Sequence, residues 1–153
     1  MNIIVEKTMK ENINRMTHDY YKCLSAPMDD MWERSIIFVS DYYKISVGTK
    51  DVGYFCLNKN NDIVQFYIKN QYLKKAKEIF DYLLVEMNIH KAYVSTVEPR
   101  FFNVCLDHNK GIKTHTYLYR DMFKVNSINP IKNAKFNLAT EDEYEEILVY
   151  ERN

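Results

Sequence analysis

Residues 62–96, DIVQFYIKNQYLKKAKEIFDYLLVEMNIHKAYVST, change their periodicity twice. Ile63 to Ile68 is rich in β-branched and aromatic residues and predicts a strand. Leu73, Ala76, Phe80, Leu83, Leu84 and Met87 then fall at helical spacing and form one apolar stripe. Residues 91–96 return to strand character. Strand, helix and strand of this size predict a βαβ unit with parallel strands and a right-handed crossover. The helix start then lies beside a strand end, with free backbone N–H groups, which is an anion site in waiting. Lys69, Lys74, Lys75 and Lys77 crowd that end while Glu86 sits near the other, against the helix dipole. A bound phosphate would relieve the conflict; a solvated lysine face is the plainer alternative.

The same stretch resembles the acetyl-CoA-binding core of the GNAT superfamily of N-acetyltransferases. In that family a strand runs into Arg/Gln-x-x-Gly-x-Gly/Ala at a helix start. Here the matching positions are Gln71, Tyr72, Leu73, Lys74, Lys75 and Ala76, and Gln71 and Ala76 agree with the pattern. Lys74 stands where the family has glycine. A glycine allows close backbone approach and positive φ. A lysine offers instead a charged side chain to a phosphate. The resemblance covers roughly residues 42–119 and implies a mixed α/β (α+β) sheet of the GNAT acyl-CoA N-acyltransferase type, with antiparallel N-terminal strands followed by the βαβ unit.

Composition narrows the function classes. The chain has 153 residues, enough for one full core, and a formal net charge of zero. That balance argues against a generic nucleic-acid binder. Only three glycines and three prolines are present, so a phosphate loop must work with little glycine. Cys23, Cys56 and Cys105 are widely spaced and suggest free thiols in a reducing cytosol. His18, His90, His108 and His115 lack metal-ligand spacing, so no metal is expected. No signal peptide and no membrane-spanning stretch is evident, and a cytoplasmic location is expected.

Taken in order, residues 2–8 predict a strand and residues 10–24 a helix with Ile13, Met16, Tyr20 and Leu24 on one face. Pro27 suits the start of a second helix over residues 28–36, with Asp29 and Asp30 in its first turn. By the resemblance these two helices shape the acceptor side of a cleft lined by Met28 and Trp32; as a plain reading, Trp32 is a core anchor. Residues 42–47 and 52–57 predict a hairpin turning at Gly48, and residues 58–61 a polar turn. Glu98 and Pro99 open a further helix, with Phe102, Cys105 and Leu106 as its buried stripe and Gly111 as its stop. Residues 114–123 predict a long strand.

Domain 1–123 is therefore expected to be the GNAT-like unit, 124–135 a linker, and 136–153 a strand and helix that either opens a second GNAT-like domain or packs on the first. Thr140 and Glu143 make a capping-box signature there.

By the resemblance, Phe66, Tyr67 and Ile68 lend backbone groups to the pantetheine arm of acetyl-CoA, and residues Gln71 to Ala76 hold its pyrophosphate. The family's helix carries a tyrosine four residues before a glycine that protonates the departing thiolate; counting back from Gly111 reaches Asp107. Tyr117 and Tyr119 on the next strand are substitutes only if they face the cleft. Arg100 stands about where the family has asparagine. The candidate catalytic residues are Asp107 and Glu98, the latter as a base acting through water. The implied reaction is acetyl transfer to an unknown amine. The alternative is a catalytically degenerate GNAT-like binding or scaffold module. A homodimer or a second GNAT-like domain is the expected partner besides the two substrates.

Overall fold

A computed structural model describes residues 2–117, together with Thr140 and Glu143. The described residues up to Lys113 form one compact unit, and those from Thr114 onward belong to another. In the first unit the order is β1 (Ile3–Thr8), α1 (Asn14–Tyr21), α2 (Asp30–Trp32), β2 (Asp41–Val47), β3 (Lys50–Leu57), β4 (Ile63–Ile68), α3 (Ala76–Glu86) and α4 (Pro99–Asp107). The strands make a four-stranded antiparallel sheet in the order β1-β2-β3-β4.

The hairpin turns at Gly48, whose φ of +58° is the left-handed conformation that glycine adopts cheaply. Two bulges break the sheet's alternation. Val52 is skipped between Ile45↔Gly53 and Ser46↔Asp51, and Val64 between Cys56↔Gln65 and Leu57↔Ile63. An extra residue bends its strand and redirects side chains. Consistent with this, Val64 packs in the same core as Tyr67, and Gln65 lies 3.6 Å from Cys56 of that core.

The sheet is covered on both faces. On one, Phe66, Phe80 and Phe101 join β4, α3 and α4, with ring centroids 5.1 to 6.1 Å apart. On the other, Ile13, Met16 and Tyr20 of the first helical segment pack on Tyr54, Val64 and Tyr67. The predicted face of α1 is therefore its buried face.

Four expectations change in detail. Residues 91–96 form no full strand: one parallel bridge, Ile63↔Ala92, joins them to β4. The long helix begins later than its apolar stripe, because Asn70–Lys75 is a 3-10 turn and α3 starts at Ala76. The stripe itself holds, with Ile79 added, since Ala76, Ile79, Phe80 and Leu83 are buried. Pro27 lies outside α2; Asp29 is the N-cap, its carboxylate accepting from the Trp32 N–H at 2.8 Å. In α4 the buried residues are Phe101 and Val104, while Leu106 is 39% exposed. Cys105, as predicted, packs partly buried against the same core, and the face ends in a polar residue: His108 packs on the Phe80 ring, its centroid 5.2 Å away. An apolar count alone therefore places the stripe one residue late.

Of the predicted strand over residues 114–123, the described residues 114–117 are not in a strand, and Tyr117 is exposed. Residues 118–123, with Tyr119, and most of the C-terminal segment lie outside the described residues. At its two described positions, Glu143 Oε2 accepts from the Thr140 N–H at 2.8 Å and from its hydroxyl at 3.1 Å. That is the glutamate half of the capping box.

Candidate active site

The site begins where β4 and residues 91–96 part. The Ile63 N–H donates to the Lys91 carbonyl at 3.0 Å, and the Tyr93 N–H donates to the Ile63 carbonyl at 2.9 Å. Past that bridge and the bulge at Val64, Gln65 to Ile68 pair with β3 alone among the described residues. The outer edge of β4, which includes Phe66, Tyr67 and Ile68, thus has no strand partner among the described residues.

β4 leads directly into the 3-10 turn Asn70–Lys75, which carries Gln71, Tyr72, Leu73, Lys74 and Lys75, with Ala76 opening α3. Neither the turn nor α3 has a side-chain cap on its first N–H groups. The neighbouring cations divide into two sets. Lys69 Nζ donates to the Asp51 carbonyl at 2.6 Å, Lys77 Nζ lies 3.5 Å from His108 Nε2, and Arg100 Nη1 donates to Asn70 Oδ1 at 2.6 Å. Lys74 and Lys75 are exposed and have no partner among the described residues. Lys74 has negative φ, since Asn61 and Asn88 are the non-glycine residues with positive φ among those described. A glycine is thus not required here for conformation; the lysine gives up only the close approach.

Glu98 sits at the N-cap of α4 and is 2% exposed. Its Oε1 accepts from the Tyr20 hydroxyl at 2.6 Å and its Oε2 from the Ser95 N–H at 3.0 Å. Burial pushes the carboxyl up to about 7, against the lowering effect of these two hydrogen bonds. A carboxyl that titrates near neutrality is matched to proton transfer. Burial, and then the charge of Glu98, hold the Tyr20 hydroxyl far above its ordinary value, so Tyr20 acts here as a donor.

Tyr20 is followed by Tyr21, whose hydroxyl donates to Glu33. The two rings meet edge to face, 5.2 Å apart. Two tyrosine–carboxylate pairs thus stand back to back at the end of α1. Tyr21 and Glu33 line a cleft of about 460 Å³ with Leu24, Ala26, Pro27 and Met28. Its rim is tied to the neighbourhood of Glu98, because the Ser25 N–H donates to the Val97 carbonyl at 2.9 Å. Met28 lines this cleft. Trp32 packs on Tyr93, ring centroids 6.0 Å apart, in the second core.

Asp107 is exposed at the far end of α4 from Glu98. A helix of nine residues rises about 13 Å, so the two carboxylates serve no common atom. Cys56 and Cys105 are held as thiols by burial, Cys105 at about 12. Among the described residues no cluster of histidine, cysteine and carboxylate side chains could hold a metal, and no helix is long and apolar enough to cross a membrane.

The acetyltransferase (GNAT) domain family matches residues 9–122. The chain belongs to the GNAT acetyltransferase family. Among solved structures, a GNAT-family acetyltransferase from Colwellia psychrerythraea superposes with a TM-score of 0.61 at 22% identity, over 68% of this chain and 41% of that one. The chain thus spans less than half of that protein's length. A ribosomal-protein-alanine N-acetyltransferase from Brucella melitensis biovar Abortus 2308 has a TM-score of 0.50 at 10% identity, over 78% of this chain and 99% of the other. At such identities the likeness is one of fold. No curated protein sequence matches the chain.

Tyr20, Tyr21 and Glu33 are the residues of the GNAT domain that sequence reading missed. Tyr20 reads as one more apolar face position, and nothing in the spacing of Tyr21 and Glu33 joins them. The chain fold brings them together when α2 runs into the π turn Glu33–Ile37.

Proposed function

We propose that this GNAT domain binds acetyl-CoA and transfers its acetyl group to an amine. The observation that carries the reading is a β4 edge without a strand partner among the described residues, running into a turn whose Lys74 and Lys75 have no partner among them either. Phe66, Tyr67 and Ile68 offer backbone groups to the pantetheine arm. Gln71, Tyr72, Leu73, Lys74, Lys75 and Ala76 surround the pyrophosphate, with Lys74 and Lys75 supplying charge. A neutral amine attacks the thioester carbonyl, a C–N bond forms, and the C–S bond breaks as CoA leaves. Glu98 takes the amine's proton through water, and the thiolate is protonated from solvent.

Calorimetry with acetyl-CoA tests the first step; binding should weaken at high salt. Losing a charge-assisted contact costs about 1.5–3 kcal/mol, so Lys74→Ala should weaken affinity by roughly tenfold or more. Lys74→Gly should bind better than alanine, by restoring close approach, yet melt lower, since glycine costs a helical turn about 1 kcal/mol. No heat at millimolar ligand would refute the reading.

The alternative, a binding module without catalysis, draws on the exposed aspartate where the family has its tyrosine. Because Asp107 faces solvent, Asp107→Asn should leave the turnover of an active domain nearly unchanged. A loss of several hundredfold with the fold intact would assign it the acid role.

A further inference from the structure

The cleft beside α1 has a polar feature that acetyl-CoA binding does not use. Glu33 is half-buried at its wall. Its Oε1 accepts from Tyr21, and its Oε2 has no hydrogen-bond partner among the described residues. No lysine or arginine nitrogen of the described residues lies within 4.0 Å of it. Arg34, the adjacent residue, turns to Asp30 instead, at 2.8 Å. One carboxylate oxygen at the cleft wall is thus left able to accept a charge-assisted hydrogen bond from a cation. Leu24, Ala26, Pro27 and Met28 give the wall its apolar part, and Ser25 is its one further polar side chain. At about 460 Å³ the cleft has the size of a small-molecule site.

From this we infer that the cleft is a subsite for an aliphatic ammonium, its charge held by Glu33 Oε2 and its methylene stem by the apolar wall. Tyr21 fixes the carboxylate by its own hydrogen bond and leaves one oxygen for the ligand. The inference deepens the proposed acetyl transfer and rests on it in one respect: the acceptor becomes an amine that carries a second, cationic end. Its class is an alkyl diamine or a lysine whose α-amine is free, which share this chemistry.

The test is calorimetry on the 153-residue chain with 1,5-diaminopentane, 1,5-pentanediol and a peptide whose lysine keeps its free α-amine. The diamine should bind at least about tenfold more tightly than the diol, and less tightly at high salt. Glu33→Gln should cost at least about tenfold in diamine affinity, and Tyr21→Phe, which keeps the charge, should cost much less. Which of diamine and peptide binds more tightly identifies the source of the ammonium. Equal affinity for diamine and diol would overturn the inference. So would equal affinity of wild type and Glu33→Gln, or losses of the same size in both variants with the fold intact. Titrating acetyl-CoA separately keeps the two readings apart. A chain that holds the diamine through Glu33 but ignores acetyl-CoA retains the subsite and loses acetyl transfer. A chain that binds acetyl-CoA, with diamine affinity indifferent to Glu33, does the reverse.

Discussion

Replacing Glu98 by Gln should lower acetyl transfer by about two orders of magnitude or more, the usual worth of a positioned general base. The glutamine keeps the volume and one acceptor oxygen for Tyr20, so the loss reports on the proton. In wild type the rate should rise with pH through about 7, where the buried carboxyl ionises. In Glu98→Gln that limb should disappear. The same group makes a stability prediction with a definite sign. Its folded value, about 7, lies above its usual 4.5, so the folded state binds the extra proton between these limits. The contribution is fully present below about pH 4.5 and is lost as pH rises through about 7. The difference corresponds to about 3 kcal/mol. Subtracting the pH profile of Glu98→Gln from that of wild type, by urea unfolding, should reveal that decline. An unchanged rate–pH profile in the variant would remove Glu98 from the reaction, while the stability profile would still test its burial.

The fold was legible where the sequence keeps a period. The α1 face of Ile13, Met16 and Tyr20, the hairpin at Gly48 and the stripe from Ala76 to Leu83 all follow from spacing and turn chemistry. What spacing misses is where a partner on another segment decides. Residues 91–96 have strand composition, yet one bridge holds them, at Ile63 and next to the bulge at Val64, a kind of irregularity that ends pairing. The stripe of α4 reads one residue late because a histidine completes it. Glu98 was visible as a candidate base, but its burial under Tyr20 spans 78 positions of sequence and leaves no local trace. The Tyr21–Glu33 pair is invisible for a similar reason, although shorter in range: a π turn sets its geometry. At Lys74 the sequence shows only that glycine is missing; the backbone shows that positive φ was not needed.

The three glycines should rank sharply on substitution by alanine, and the largest effect should fall on the strand that shapes the site. A Cβ on Gly53 would lie 2.1 Å from the Tyr67 carbonyl oxygen and 3.2 Å from the Ile68 Cα. Both are backbone atoms of β4, so no rotamer change relieves the contact. The pair Gly53↔Ile68 would have to separate, and the β3–β4 ladder with it. Overpacking that side chains can absorb costs about 1–3 kcal/mol. A backbone clash should reach or exceed the upper end, lowering the melting temperature by roughly 10 °C or more. At Gly48 no atom of the described residues lies within 4 Å, but φ is +58°, so alanine should cost only about 1–2 kcal/mol of left-handed strain. At Gly111 there is neither a neighbour within 4 Å among the described residues nor a positive φ, and alanine should be close to neutral. Because Tyr67 and Ile68 are the residues proposed to meet the pantetheine arm, Gly53→Ala should also weaken acetyl-CoA binding below its own melting temperature. Gly48→Ala should not, since no described atom lies within 4 Å of a Cβ there, although its turn adjoins the same end of β3. Thermal melts and calorimetry on the three variants check both orders. A Gly53→Ala protein as stable as wild type would show that β3 and β4 do not approach as described. A Gly53→Ala protein that is destabilised but binds acetyl-CoA with full affinity would move the pantetheine arm away from this edge.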